Sequence, residues 1–265
     1  MEENILKDIT SVVNHKGGVA KTSTVLGLAG GLLRKNKRLK VLVIDMDSQC
    51  NLSMLCGWNF NNKELPTVYE ALRDQKGIPV YKSERGIYFS PASRMLQQVD
   101  VDLFRQMQPY QVLWNCFCNE VDDRTGEGFK NVVNFDYVII DCPPALSGTT
   151  YNAMAVSSRI LIPVQLEPLS INGLAPIWVD QSLRQRQGQE IVIVPVMVDG
   201  QTRISRSYHN YLEETYGQYL SGCQIRKDVK MKESQMKLQD IFSYAPYSRV
   251  ASDYERLVKE LYSLK

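Results

Sequence analysis

The sequence predicts an α/β fold, a single domain over residues 1–265 with a predominantly parallel, twisted sheet and helices on both faces. Three observations lead to it. Apolar runs of strand length recur along the chain, several of them ending in aspartate. They alternate with intervals of helical periodicity. A glycine-bearing loop joins the first such run to the first helix. With 44% hydrophobic and 23% charged residues, the 265-residue chain has an ordinary globular composition, and no Pro/Gly/Ser-rich linker divides it.

Ile9 to Asn14 is alternating and β-branched, a strand that runs straight into the loop at Lys16 to Lys21. Thr22 to Lys35 follows as a helix with Val25, Leu26, Leu28, Ala29, Leu32 and Leu33 on one apolar face. Gly27, Gly30 and Gly31 would each weaken that helix by about 1 kcal/mol in isolation, so they predict close packing against the sheet. Val41 to Ile44 is a continuous apolar run closed by Asp45, the pattern of a strand buried on both faces. Ile87 to Ser90 reads as another strand. Tyr137 to Ile140 ends in Asp141, Arg159 to Val164 follows a helical interval, and Ile191 to Val198 ends in Asp199; such alternation implies right-handed crossovers. Ser252 to Leu264 closes the chain as a helix with Tyr254, Leu257, Val258, Leu261 and Tyr262 on one face.

Several function classes are excluded by the same reading. The longest apolar stretches fall far short of the roughly 20 residues of a membrane span. The polar, acidic start from Met1 to Asp8 has no secretory-signal pattern, so a cytoplasmic protein with no membrane partner is expected. Cys50, Cys56, Cys116, Cys118, Cys142 and Cys223 show no zinc-ligand spacing and read as reduced, mostly buried thiols. The net charge of +2 says little, but basic residues crowd Arg34 to Lys40 and again Arg226 to Lys237.

The loop carries the chemistry. In a phosphate loop, successive backbone N–H groups and a helix N-terminus converge on a polyphosphate while a lysine neutralises the β/γ oxygens and a hydroxyl holds Mg²⁺. Lys21 and Thr22 are spaced for those two tasks, although His15 and Ala20 stand where the ordinary GxxxxGK[ST] pattern has its glycines.

Asn14-His15-Lys16-Gly17-Gly18-Val19-Ala20-Lys21-Thr22-Ser23 resembles the deviant Walker A loop, KGGxxKT, of the ParA/MinD family of P-loop ATPases. The resemblance extends to Asp45-Met46-Asp47-Ser48-Gln49-Cys50-Asn51, similar to the family's DxDPQxN segment. It extends also to Val138 through Asp141 with Pro143 and Pro144, similar to its Walker B strand. Ala20 and Ser48 depart from the family's glycine and proline. The resemblance implies a P-loop NTPase-like domain that binds ATP and Mg²⁺ along Lys16 to Ser23. Thr22 would hold the metal directly, and Asp45 and Asp141 through water. Lys16 would reach the nucleotide of a partner subunit, as an arginine finger does, so that ATP is sandwiched in a homodimer. Lys16, Lys21 and Asp47 are then the catalytic candidates, Asp47 placing the attacking water.

The ParA/Soj branch, in its short class without an N-terminal helix-turn-helix, further implies nonspecific double-stranded DNA as a partner, a ParB-like adaptor, and nucleoid association when ATP is bound. Arg226, Lys227, Lys230 and Lys232 lie where relatives carry DNA-contacting cations. Gln201 stands where many have arginine, with Arg203 and Arg206 as nearby substitutes. Partition of plasmid, chromosome or mobile-element DNA is the leading expectation. Positioning of a protein cargo, or a regulatory nucleotide-binding role with weak turnover, are the alternatives.

Overall fold

The structure, a computed structural model, describes residues 9–106, 108–168, 174, 188–200 and 202–262. Eight strands form one sheet: β1 (Ile9–Val12), β2 (Val41–Asp45), β3 (Pro79–Lys82), β4 (Tyr88–Ser90), β5 (Asp122–Asp123), β6 (Tyr137–Asp141), β7 (Arg159–Gln165) and β8 (Glu190–Val196). Their order across the sheet is β5-β3-β4-β2-β6-β1-β7-β8. All described pairings are parallel except β3 with β4. The predicted sheet is present. Its far edge, β3 and β5, was not anticipated.

The continuous apolar runs are explained by burial on both sides. Leu42 and Ile44 join one hydrophobic cluster and Val41 and Val43 the other, so the sheet is the middle layer between two cores. On one face α1 (Lys21–Lys35) lies beside the C-terminal helix; on the other, α4 (Leu96–Phe104), α5 (Val112–Cys118) and α6 (Gly148–Val156) pack together. Between β2 and β3 come α2 (Asn51–Leu55) and α3 (Val68–Asp74). After β8 come α7 (Arg203–Tyr216), α8 (Val229–Met236), α9 (Ile241–Tyr244) and α10 (Arg249–Leu261). The predicted apolar face of α10 is buried throughout, from Tyr254 to Tyr262. Its start lies three residues before the expected Ser252, because Ser248 caps it by accepting from the N–H of Ala251.

The three glycines of α1 do not serve the sheet. A Cβ on Gly27 would stand 2.6 Å from the Tyr254 ring, one on Gly30 2.9 Å from Phe242, and one on Gly31 2.9 Å from Val258. They admit α9 and α10, so α1 is pressed between the sheet and the C-terminal helices. That contact fixes the position of the helix whose first turn follows the phosphate loop.

Register completes the site. Asp45 pairs with Asp141 across β2 and β6, and Val12 pairs with Asp141 across β1 and β6. β1 lies between β6 and β7, neither its neighbour in sequence, and the loop after it opens at the carboxyl ends of the strands. In open parallel sheets that is where ligands bind.

Candidate nucleotide-binding site

A cleft of 390 Å³ opens at this point, lined by Gly17, Gly18, Ala20, Lys21, Thr22 and Ser23 from the loop and by Asp47 from the segment after β2. Backbone conformation makes the loop. Gly18 has φ +77°, and Ala20, the residue before α1, has φ 58° and ψ 28°. The left-handed region costs a residue with a Cβ about 1–2 kcal/mol, so the alanine that departs from the family pattern occupies a position suited to glycine. Asn14 anchors the loop's entry by donating from Nδ2 to the Pro163 carbonyl at 2.8 Å and accepting from the Lys16 N–H at 2.8 Å.

Lys21 curls over the loop and donates from Nζ to the carbonyls of Asn14 at 3.1 Å and Lys16 at 3.0 Å. Burial lowers its pKa, opposed by the charges of Asp141, Cys142 and Asp47. Phosphate oxygens in the cleft would satisfy an ammonium better than two carbonyls do. Thr22 Oγ1 donates to Asp141 Oδ2 at 2.7 Å. Its own lone pairs can therefore face a cation. Asp141 Oδ1 is buried and carries no hydrogen-bond partner. Burial and the neighbouring Asp45 charge push the Asp141 pKa well above the ordinary carboxylate value. An orphaned carboxylate oxygen beside an oriented hydroxyl fits a hard cation with oxygen ligands. Among the described residues no group of three or more His, Cys, Asp or Glu side chains could hold a metal. Such a cation would therefore depend on phosphate and water oxygens, as Mg²⁺ commonly does.

Asp45 is held by hydrogen bonds from its own chain. Its Oδ1 accepts from the Asp47 N–H at 3.1 Å, and its Oδ2 from the Ser53 N–H at 2.8 Å and the Ser53 hydroxyl at 2.6 Å. Burial raises its pKa to about 7 against those hydrogen bonds. It is absent from the cleft lining, and both oxygens are engaged in shaping the loop that presents Asp47. These hydrogen bonds give Asp45 a scaffold role beside the water-mediated metal contact expected of it. Asp47 itself accepts from the Gln49 N–H at 2.9 Å and reaches the cleft, its pKa raised by burial.

Val19 turns its side chain into the core and lines no part of the cleft, so its contribution is limited to the backbone. Lys16 does not line the cleft either; its Nζ forms an ion pair with Glu167 of the same chain, just past β7. Pro144 of the Walker B-like segment also lines the cleft, and three lining residues went unnoticed in the sequence: Met54, Leu55 and Gln235, the last from α8. Met197, directly after β8, has φ 52° and lines the cleft as well.

The segments that carry the basic residues meet at the end of β8. The Lys227 N–H donates to the Val198 carbonyl at 3.0 Å, which sets the segment leading into α8 beside the turn that leads into α7. Arg203, Arg206, Lys227, Lys230 and Lys232 are exposed there, and Gln201 lies outside the described residues. Arg226 departs from the expectation of a cation presented to solvent. Its guanidinium bonds both oxygens of Asp253, at 2.7 and 2.9 Å, and Asp253 is fully buried. Arg226 thus holds α10 in place. Lys230 pairs with Glu233 at 2.8 Å.

A twisted parallel sheet with this loop at its switch point and a carboxylate-bound threonine at the loop's end defines a phosphate-loop α/β protein. Residues 7–193 match the family model described as an AAA domain. The chain is 30% identical over 261 residues to an uncharacterized protein of Pseudomonas putida KT2440, covering 96% of this chain and 94% of that one. It is 29% identical over 260 residues to the sporulation initiation inhibitor protein Soj of Bacillus subtilis strain 168, covering 96% and 97%. The structure of an ATP complex of McdA from Cyanothece shares the fold with a TM-score of 0.81 at 21% identity, covering 97% of both chains. The chain belongs to this AAA-domain family, in its ParA/Soj-type branch of partition ATPases.

Proposed function

We propose that the protein is an ATP-dependent dimerising switch that binds DNA without regard to sequence and hydrolyses ATP to drive partition of plasmid, chromosome or mobile-element DNA. The observation that carries the reading is the Thr22–Asp141 hydrogen bond with the orphaned Asp141 Oδ1 beside it. It joins a cleft-lining hydroxyl to a buried carboxylate beside the phosphate loop. Lys21 neutralises the polyphosphate, and the N–H groups of Gly17 through Ser23 receive its oxygens. Thr22 and, through water, Asp45 and Asp141 would hold Mg²⁺, which would supply neutralisation of phosphate charge when bound. Asp47 orients the attacking water from the opposite wall.

Lys16 gives the switch its second subunit. On its own chain its ammonium is paired with Glu167 and its side chain does not line its own cleft. In the closed dimer it exchanges that carboxylate for the partner's nucleotide, and turnover becomes conditional on dimerisation. A cation delivered in trans to a phosphoryl-transfer site is worth on the order of 10³ in rate or more. The exposed edge formed by Arg203, Arg206, Lys227, Lys230 and Lys232 faces duplex phosphates. A ParB-like adaptor stimulates turnover, and the ATP-loaded form associates with the nucleoid. No helix among the described residues is long and apolar enough to cross a membrane.

The test is retention of purified protein on arbitrary duplex DNA in the apo, ADP and nonhydrolysable-ATP states. Retention confined to the ATP-analogue state and falling steeply with salt is the expected result. Equal retention in all three states removes the switch.

A further inference from the structure

One side-chain hydrogen bond joins the phosphate-loop helix to the basic helix. Gln235, in the last turn of α8, donates from Nε2 to Ser23 Oγ at 2.7 Å, across 212 positions of chain. Both residues line the cleft alongside Lys21 and Thr22. A hydroxyl has one proton and two acceptor lone pairs. Gln235 occupies the Ser23 oxygen as a donor, so the hydroxyl proton turns elsewhere, and among the described residues no side chain or carbonyl accepts it. With Lys21, Thr22 and the loop N–H groups around it, the acceptor that fits this proton is an anionic phosphate oxygen.

The other end of the contact is weakly held. Ser234 is the buried residue of α8, and Met231 packs only partly against the core. Polar links do most of the anchoring: Asp228 caps the helix by accepting from the Lys230 N–H, and the Tyr244 hydroxyl donates to Glu233. Gln235 is the link that reaches the cleft, and the same short helix carries Lys230 and Lys232.

We infer that Gln235 is a positioning residue that turns the Ser23 hydroxyl toward the nucleotide's phosphates and ties their arrival to α8. Hydrogen bonds in series polarise one another: once Ser23 donates to phosphate, its oxygen becomes a better acceptor for Gln235. Nucleotide binding thereby tightens the contact that holds the basic helix. This rests on the nucleotide reading of the cleft and adds a route from that cleft to the surface proposed to meet DNA.

A double-mutant cycle read by calorimetry tests it, using a nonhydrolysable ATP analogue with Mg²⁺ on the full chain. Ser23→Ala and Gln235→Leu should each weaken binding about fivefold to tenfold, the worth of one hydrogen bond. The double variant should be no weaker than either single one. Gln235→Glu keeps the length, offers no donor and sets a carboxylate beside phosphate, so it should bind more weakly than Gln235→Leu. Amide exchange across residues 229–236 should slow when the analogue binds the wild-type chain and stay unchanged in Gln235→Leu. Thermal melts confirm that each variant is folded. Additive losses in the cycle, or a Gln235→Leu chain with wild-type affinity and wild-type protection of α8, overturn the inference alone. Failure of the wild-type chain to bind the analogue overturns the nucleotide reading as well.

Discussion

The phosphate cleft and the basic edge are both rich in polar groups, yet they are built in opposite ways. In the cleft, the groups that matter are fixed by backbone register: Asp141 by its pairing with Asp45 and Val12, Thr22 by its donation to Asp141, Asn14 by the Pro163 carbonyl. At the edge, the cations stand on helices and loops, and those with the best geometry are already paired, Arg226 with the buried Asp253 and Lys230 with Glu233 on the surface. A count of charges therefore describes the cleft well and the edge poorly. Whether a cation is available depends on what its partner would lose if it left.

Within the cleft the two lysines should separate most widely. Lys16→Ala should keep nucleotide binding and lose turnover by about 10³-fold, the scale of a trans cation in phosphoryl transfer. Lys21→Ala should weaken binding of the ATP analogue by about 100-fold through loss of a charge-assisted contact to phosphate, with the melting transition of the apo protein little changed. Steady-state hydrolysis and calorimetry on the same two variants check both. A Lys16→Ala chain with wild-type turnover removes the trans role, and one that cannot bind nucleotide places Lys16 in its own cleft.

At the edge the first expected effect is on folding. Asp253→Ala leaves the Arg226 and Arg256 guanidiniums without their shared carboxylate and should cost about 3 kcal/mol, read by urea denaturation. Burial alone would raise the Asp253 pKa, but hydrogen bonds from Arg226 and Arg256 outweigh it and hold it below the ordinary value. A depressed carboxylate stabilises fully above its unfolded pKa of about 4, and that stability drains away as pH falls through the lower folded value. The wild-type chain should lose this contribution in acid below about pH 4, and Asp253→Ala should show a flatter pH profile there. Arg226→Glu belongs with these folding variants and is a poor probe of DNA contact.

Much of this architecture is legible in the chain. The runs at Val41 to Ile44 and Tyr137 to Ile140 are apolar at every position because both sheet faces are covered, and each ends on a buried aspartate at the carboxyl end of its strand. The loop is legible because backbone conformation and phosphate chemistry restrict its residues so tightly. The remainder depended on distant contacts. β5 has two residues and pairs only at the sheet's margin, too little to impose a pattern. The glycines of α1 signalled closeness but not the neighbour, which arrives more than 200 positions later as Phe242, Tyr254 and Val258. Asp45 and Asp141 look alike in sequence, both closing apolar strands, and are told apart by Ser53, whose hydroxyl and N–H claim one of them. Gln235 sits among lysines in a helix with no apolar stripe, where nothing local marks it.

The basic edge is better probed by cations that hold nothing together. Lys227 and Lys232 are exposed and have no ion-pair partner among the described residues. Lys227→Glu with Lys232→Glu should leave stability and nucleotide affinity near wild type while reducing the salt dependence of DNA retention, by about 0.9 in log–log slope for every phosphate no longer neutralised. An unchanged slope would move the DNA surface to Arg203 and Arg206 on α7.

The smallest effect concerns the strained residue at the end of the phosphate loop. Ala20 holds φ 58° at the start of α1, a conformation that a Cβ makes unfavourable by about 1–2 kcal/mol. Ala20→Gly removes that cost in the folded state but gives the unfolded chain more freedom, worth about 0.4–1 kcal/mol in the other direction. The net expectation is a gain of about 1 kcal/mol or less in the apo protein, read as a small rise in denaturation midpoint at constant slope. A loss of stability would mean that the Ala20 methyl makes contacts that repay its strain. The same variant restores the family's glycine at the loop, so its turnover measures whether the methyl slows the switch. Faster hydrolysis with unchanged nucleotide affinity would assign Ala20 a role in setting the rate, whereas equal rates would leave the strain as a purely structural feature of the loop.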